Sequence, residues 1–145
     1  MSIFLLIRHG ANDMVNSGRL AGRSPGINLN DQGRLQASKL ADYLSPWKLK
    51  AVYSSPLERT MQTAEPIAGK QGREVRILPD INEVDFGEWT GCSYDELSGD
   101  PLWKAFNESR SSTRIPAGEI SLEIQLRMVR AIEKLHNEHR QGIIA

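Results

Sequence analysis

With 145 residues, 39% hydrophobic and 25% charged, the chain has the size and apolar content of one globular domain with a real core. Eighteen basic residues balance eighteen acidic ones, so no overall field favours nucleic acid or an anionic membrane, and an anion has to be met by a local cluster. A lone Cys92 excludes an internal disulfide and a cysteine metal site; no apolar run nears the ~20 residues of a membrane span, and the start lacks a signal peptide's basic n-region, so the cytoplasm is the expected compartment.

Ile3 to Ile7 is an unbroken apolar run, the pattern of a strand buried on both faces. A loop punctuated by Gly18, Gly22, Pro25 and Gly26 follows. Asn30 reads as an N-cap. Leu35, Ala37, Leu40, Ala41 and Leu44 recur at mostly three- and four-residue intervals, a helix that Ser45-Pro46 stops. AVYSS is a second strand. Ser55, Pro56 and Glu58 then combine an N-cap, a proline at the first helical position and a capping box. The helix they open buries Leu57, Met61, Ala64 and Ala68, and Pro66 kinks or shortens it.

Val75 and Ile77, with polar neighbours, form a third strand that ends at Pro79-Asp80. INEVDFGEWTG has no regular period and reads as loop. Short helices start at Ser93, with Glu96 closing a capping box, and at Asp100-Pro101. The longest helix runs roughly from Ser121 to Arg140, with Ile124, Met128, Ala131, Ile132 and Leu135 on its buried stripe and Gly142 capping its end. Gly142 to Ala145 begin another buried strand. Strand and helix in alternation imply an α/β fold: a mainly parallel central sheet with helices on both faces. No repeat or linker divides the chain, so residues 1–145 are expected to be a single domain. A parallel strand just begun and left alone is what truncation inside a domain produces, so the C-terminal part is expected to be missing.

In a parallel sheet, ligands gather at the carboxyl ends of strands. There LLIRHG stops at Arg8, His9 and Gly10, and the Ser-Ser-Pro turn delivers a helix N-terminus with Arg59 about one turn inside. Two guanidinium forks and a helix start suit the paired oxygens of a phosphate. Between them, His9 can act as a neutral nucleophile toward phosphorus, and Gly10 lets a main-chain carbonyl hold the proton on the other ring nitrogen. The leaving alkoxide needs a proton from a carboxylic acid. INEVDFGEW offers Glu83, Asp85 and Glu88, and spacing does not choose between them.

LLIRHG, LNDQG with the following Gln-Ala, YSSPLERTMQTA, INEVDFGEWTG and PAGEISLEIQLR occur in this order over residues 3–127. As a set they resemble the histidine phosphatase superfamily in its phosphoglycerate-mutase-like branch. The resemblance implies a three-layer sandwich in which His9 becomes a phosphohistidine, Arg8 and Arg59 hold the phosphoryl group, and Glu83 is the acid. It also places Ala21 and Gly22 against the substrate and implies no metal or dissociable cofactor. Asn12 stands where the family usually has Thr or Ser, and its amide can still donate to phosphate. Gly118-Glu119-Ile120 replaces a Gly-Glu-Ser triplet, and the family's second pocket histidine would fall just after Ala145.

The expected activity is hydrolysis of a small phosphorylated metabolite, with a second copy of the chain an allowed partner and no nucleic acid or membrane. The resemblance implies that mutases of this family carry a longer insertion between the glutamate loop and the late helix, so with only Ser93–Pro116 available there hydrolysis is expected over the alternative, a phosphoglycerate mutase. A non-catalytic phosphate-binding protein is the third reading, should 145 residues be the natural chain. Arg19 and Arg23 read as solvated loop charges rather than substrate contacts, Asp85 and Glu88 as structural or solvated. His136 and His139 read as charges complementing a helix C-terminus, Trp89, Trp103 and Phe106 as core or lid-packing aromatics, and Cys92 as a small, at least half-buried residue.

Overall fold

The computed structural model describes residues 1–145, the side chains of Val15 and Asn16 excepted. Strands β1 (Ser2–Phe4), β2 (Leu49–Ser54), β3 (Val75–Ile77) and β4 (Gly142–Ile144) form one sheet in the order β1-β4-β2-β3, with every strand pair parallel. Helices α1 (Asp13–Asn16), α2 (Asp31–Leu44), α3 (Glu58–Lys70), α4 (Tyr94–Leu97), α5 (Pro101–Glu108) and α6 (Ser121–Glu138) complete the chain. Single turns of 3-10 helix at Pro79–Ile81 and Gly87–Trp89 interrupt the loop after β3.

Successive residues of a strand face opposite sides of a sheet, and β2 shows both. Val52 packs with Ala41 and Leu44 of α2 and Ala64, Ile67 and Ala68 of α3, while Tyr53 packs with Leu78 and with Ala131 and Leu135 of α6. Helices α2 and α3 therefore cover one face and α6 the other, giving the expected three layers. A separate cluster of Leu20, Trp89, Leu97, Phe106 and Ile115 joins the glycine loop to the segment between β3 and α6. In it Trp89 sits edge-on to Trp103 and Phe106, at 5.2 and 5.5 Å between ring centres, so these are packing aromatics; Cys92 is half-buried beside them.

Local signals explain several boundaries. Asn30 Oδ1 accepts from Gly33 N (2.9 Å) to start α2, and Ser45 ends it. Ser93 and Glu96 bond reciprocally at 3.1 and 2.6 Å to start α4, and Asp100 Oδ1 accepts from Leu102 N (2.8 Å) ahead of α5.

Other expectations need correction. β1 is a three-residue strand rather than a run buried to Ile7: among the described residues only β4 flanks it, Leu5 N still bonds Ile144 O (2.8 Å), and Leu6 is 84% exposed. Leu35 is also exposed, because the buried line of α2 is Gly33, Ala37, Ala41 and Leu44, and two residues of offset turn a side chain to the far face. The Ser55–Glu58 capping box is absent. Leu57 is the N-cap, Glu58 Oε1 accepts instead from Gly26 N (2.9 Å), and the Ser55 hydroxyl pairs with that of Thr60 (2.8 Å). Helix α3 continues through Pro66 to Lys70. Helix α6 ends at Glu138, and Gly142 (φ +114°) opens β4 instead of capping it; a Cβ there would lie 2.6 Å from Lys50 Cγ.

Candidate functional site

His9 lies in the turn that follows β1, half-buried, with Nδ1 2.7 Å from Gly10 O. A carbonyl can only accept, so this contact puts the proton on Nδ1 and leaves Nε2 with its lone pair. Gly10 N donates to Thr63 Oγ1 (3.1 Å), which donates in turn to Arg59 O (2.7 Å). The histidine turn is thereby tied to the first turns of α3.

Its other side lies backbone-to-backbone on α2. A Cβ at Gly10 would come within 2.6 Å of Gly33 O, and one at Gly33 within 2.1 Å of Ala11 O. Ala11 O accepts from Asn30 N (3.1 Å) and Ala11 N donates to Gln36 Oε1 (2.8 Å). Asn12 is fully buried in this turn, and Arg8 is exposed on the same turn as His9.

Arg59, the second residue of α3, is 1% exposed. Its Nη2 donates to Gly22 O (2.7 Å), while Nε and Nη1 meet no acceptor among the described residues. Burial pushes the guanidinium below its ordinary range, opposed by the charges of Glu83 and Glu58. A buried cation with two uncommitted N–H groups is a binding feature for an anion.

Gly22, at φ +48°, lets the glycine loop approach the loop after β3: a Cβ there would lie 3.2 Å from Thr90 Oγ1 and 3.4 Å from Phe86. Ala21, half-buried beside it, accepts from Ser24 N (3.0 Å). Glu83 is half-buried, with Oε1 accepting from Val84 N (2.9 Å). Thus His9, Gly22 and Arg59 share one hydrogen-bonded frame, and the charge of Glu83 is felt at Arg59.

An apolar cavity of about 580 Å³ also opens beside His9, walled by the Phe4–Ile7 segment, β2, α3 and α6. Arg8, Arg59 and Glu83 do not line it. His9 therefore stands between an apolar hollow and the charged frame.

Three charged residues at the site were missed or misread in the sequence. Arg23 is no solvated loop charge: Nε donates to Glu83 O (2.9 Å), Nη2 to Glu119 Oε1 (2.9 Å) and Nη1 to Asp85 Oδ2 (3.3 Å). Arg127 of α6 bonds both Glu119 oxygens and three main-chain carbonyls of the loop, those of Asp80, Asn82 and Glu83. Glu119 and Arg127 both lie within PAGEISLEIQLR, but nothing in that motif shows that its partners outside it are 34 to 96 positions away. Asp85 is structural, as expected, accepting also from Gly87 N (3.0 Å). Arg19 bonds Gly91 O (2.8 Å) and Glu96, and His139 meets the Tyr53 hydroxyl at 2.9 Å. Among the described residues no cluster of His, Cys, Asp and Glu is suited to hold a metal ion, and no helix is long and apolar enough to cross a membrane.

Residues 4–145 match the family model described as the histidine phosphatase superfamily (branch 1). Phosphoglycerate mutase-like protein 4 of Arabidopsis thaliana is 34% identical over 141 residues, covering 94% of this chain and 61% of that protein. The phosphoserine phosphatase of Entamoeba histolytica, solved in complex with 3-phosphoglyceric acid, superposes with a TM-score of 0.87 at 28% identity, over 99% of this chain and 72% of that one. The α-ribazole phosphatase of Shigella flexneri gives a TM-score of 0.84 at 26% identity, over 99% and 70%. The chain thus spans about three fifths of the length of the plant relative.

Proposed function

The chain belongs to the histidine phosphatase superfamily (branch 1), and on that premise we propose that the protein is a phosphomonoesterase for a small phosphorylated metabolite. The observation that carries this reading is the His9 Nδ1 contact to Gly10 O, which frees Nε2 on a turn tied to the buried, partly uncommitted Arg59. Nε2 attacks phosphorus and the P–O bond to the leaving group breaks. Glu83, in its acid form, gives the leaving oxygen a proton. Water then attacks the phosphohistidine, Glu83 takes a proton from it, the P–N bond breaks, and phosphate departs with the imidazole restored. Arg8 and Arg59 neutralise the phosphoryl oxygens through both steps, with Asn12, Ala21 and Gly22 lining the pocket.

The phosphoserine and α-ribazole phosphatases among the similar structures support hydrolysis. The mutase-like name of the plant relative favours a second reading, phosphoryl return to a sugar acid. Against it stands what the family resemblance implies, a longer insertion in mutases where this chain carries α4 and α5 between the glutamate loop and α6. We take the 145 residues as part of one domain, the apolar cavity beside His9 being covered in the full-length protein by further chain; the greater length of the relatives supports this. The test compares phosphate release from a panel of phosphorylated metabolites with interconversion of phosphoglycerates, using full-length protein. Release of phosphate is expected. Mutase turnover alone would overturn the choice, and phosphate binding with neither activity would make it a binding protein.

A further inference from the structure

The loop that carries Glu83 has no regular secondary structure beyond two single 3-10 turns, yet a general acid must stand within hydrogen-bond reach of its leaving oxygen. What fixes this loop is a knot of side chains outside the histidine frame. Glu83 O receives two guanidinium donors, Arg23 Nε at 2.9 Å and Arg127 Nη2 at 3.1 Å, while Arg127 Nη1 takes Asn82 O at 2.6 Å. Both forks converge on one carboxylate. Glu119 Oε1 accepts from Arg23 Nη2 (2.9 Å) and Arg127 Nε (2.8 Å), and Oε2 from Arg127 Nη2 (3.0 Å) and Asp85 N (3.0 Å). Glu119 N also donates to Asp85 O (3.0 Å).

The side chains of Glu119 and Arg127 are 16% and 17% exposed, so these are sheltered bonds rather than surface pairs. Two guanidiniums and the carboxylates of Glu119 and Asp85 cancel in formal charge, which allows the knot to be half-buried. Burial raises the Glu119 carboxyl, but its hydrogen bonds to Arg127 and to Asp85 N and the nearby guanidinium charges bring it out below the ordinary range. Arg23 also follows Gly22, whose carbonyl holds Arg59. One dipeptide of the glycine loop thus touches both the candidate phosphate clamp and the acid loop.

We propose that Glu119 is a positioning residue for the general acid: by holding the Arg23 and Arg127 forks against the Asn82 and Glu83 carbonyls, it sets where the Glu83 carboxyl stands. This rests on the reading of Glu83 as proton donor to a leaving oxygen. A misplaced acid has a signature that general loss of structure lacks. Proton donation matters most for a poorly leaving alkoxide and little for a stabilised aryloxide. Displacement of about 1 Å costs a rate factor on the order of 100.

The experiment measures kcat/KM, which reports the phosphoryl-transfer step, for an alkyl phosphate and for p-nitrophenyl phosphate. It uses full-length wild type, Glu119→Gln and Arg127→Lys, with urea unfolding of each. Both variants are expected to lose roughly 10- to 100-fold on the alkyl ester and less than about 3-fold on the aryl ester. Equal losses on both esters, or no loss on either, would overturn the positioning role while leaving the phosphatase reading intact. Wild type that cleaves neither ester, and that carries no phosphoryl group on His9 during incubation, would instead overturn the phosphatase reading on which the proposal rests.

Discussion

Gly33→Ala puts the histidine turn under direct stress. Gly33 is the third residue of α2, where alanine is intrinsically better than glycine by about 1 kcal/mol. Sterics point the other way. The added Cβ would stand 2.1 Å from Ala11 O and 2.8 Å from Ala11 N, whereas ordinary contact begins at 3.4 Å. The obstacle is backbone, so no rotamer change relieves it, and the turn must retreat by more than 1 Å. Overpacking of this kind costs about 1–3 kcal/mol. Loss of the Asn30 N to Ala11 O bond (3.1 Å) adds about 1 kcal/mol, so the clash outweighs the propensity gain and net destabilisation is about 1–3 kcal/mol. Because His9 moves with the turn, turnover is expected to fall roughly 100-fold. Gly69→Ala in α3 is the control: nothing lies within 4 Å of the place its methyl would take, and stability should rise by about 0.5–1 kcal/mol with activity unchanged. Urea unfolding and ester turnover of both variants decide. Gly33→Ala that unfolds at the wild-type midpoint with full turnover would refute the close-approach reasoning.

Thr63→Val removes the acceptor of Gly10 N in a buried setting, so urea unfolding should show a loss of about 1–3 kcal/mol that Thr63→Ser restores. Arg59→Met exchanges a buried cation with two uncommitted N–H groups for an apolar chain of similar length. Thermal unfolding should occur at or above the wild-type temperature while kcat/KM drops on the order of 100-fold or more; destabilisation with retained turnover would contradict the assignment. Hydrogen bonds from Arg114 hold the Glu123 carboxyl down at about 2, against an ordinary 4.5. A carboxyl depressed in the folded state stabilises above its unfolded value and loses that contribution as pH falls through about 4.5 towards about 2. The pair is exposed, so the effect is small and shrinks with added salt. Urea midpoints of wild type and Glu123→Gln should converge as pH is lowered through this window; a constant gap would count against the pairing.

The order of strands and helices was readable in the chain because α2 and α6 carry their burial in period, and α2 and α4 start at Asn30 and Ser93, which act locally. Reading failed where a side chain finds its partner across the fold. Glu58 looked like the closing member of a capping box and is taken by Gly26; Arg23 looked solvated and reaches Glu119, 96 positions away. Leu6 lies two residues past the end of β1, a stop that an unbroken run of apolar residues does not reveal. His9 and Arg59 could be paired from strand-end and helix-start logic, whereas Thr63, the hydroxyl that joins them, gave no signal beyond its place in the helix.

The central claim is that the Nε2 atom of His9 accepts a phosphoryl group. Its most direct test incubates full-length wild type and His9→Ala with a turned-over phosphate ester, quenches in alkali, and maps phosphorylation by mass spectrometry. The account predicts an acid-labile phosphoryl group on His9 in wild type alone, together with loss of hydrolysis in the variant. Sustained ester cleavage by His9→Ala, or a phosphoryl group on another residue during turnover, would contradict it.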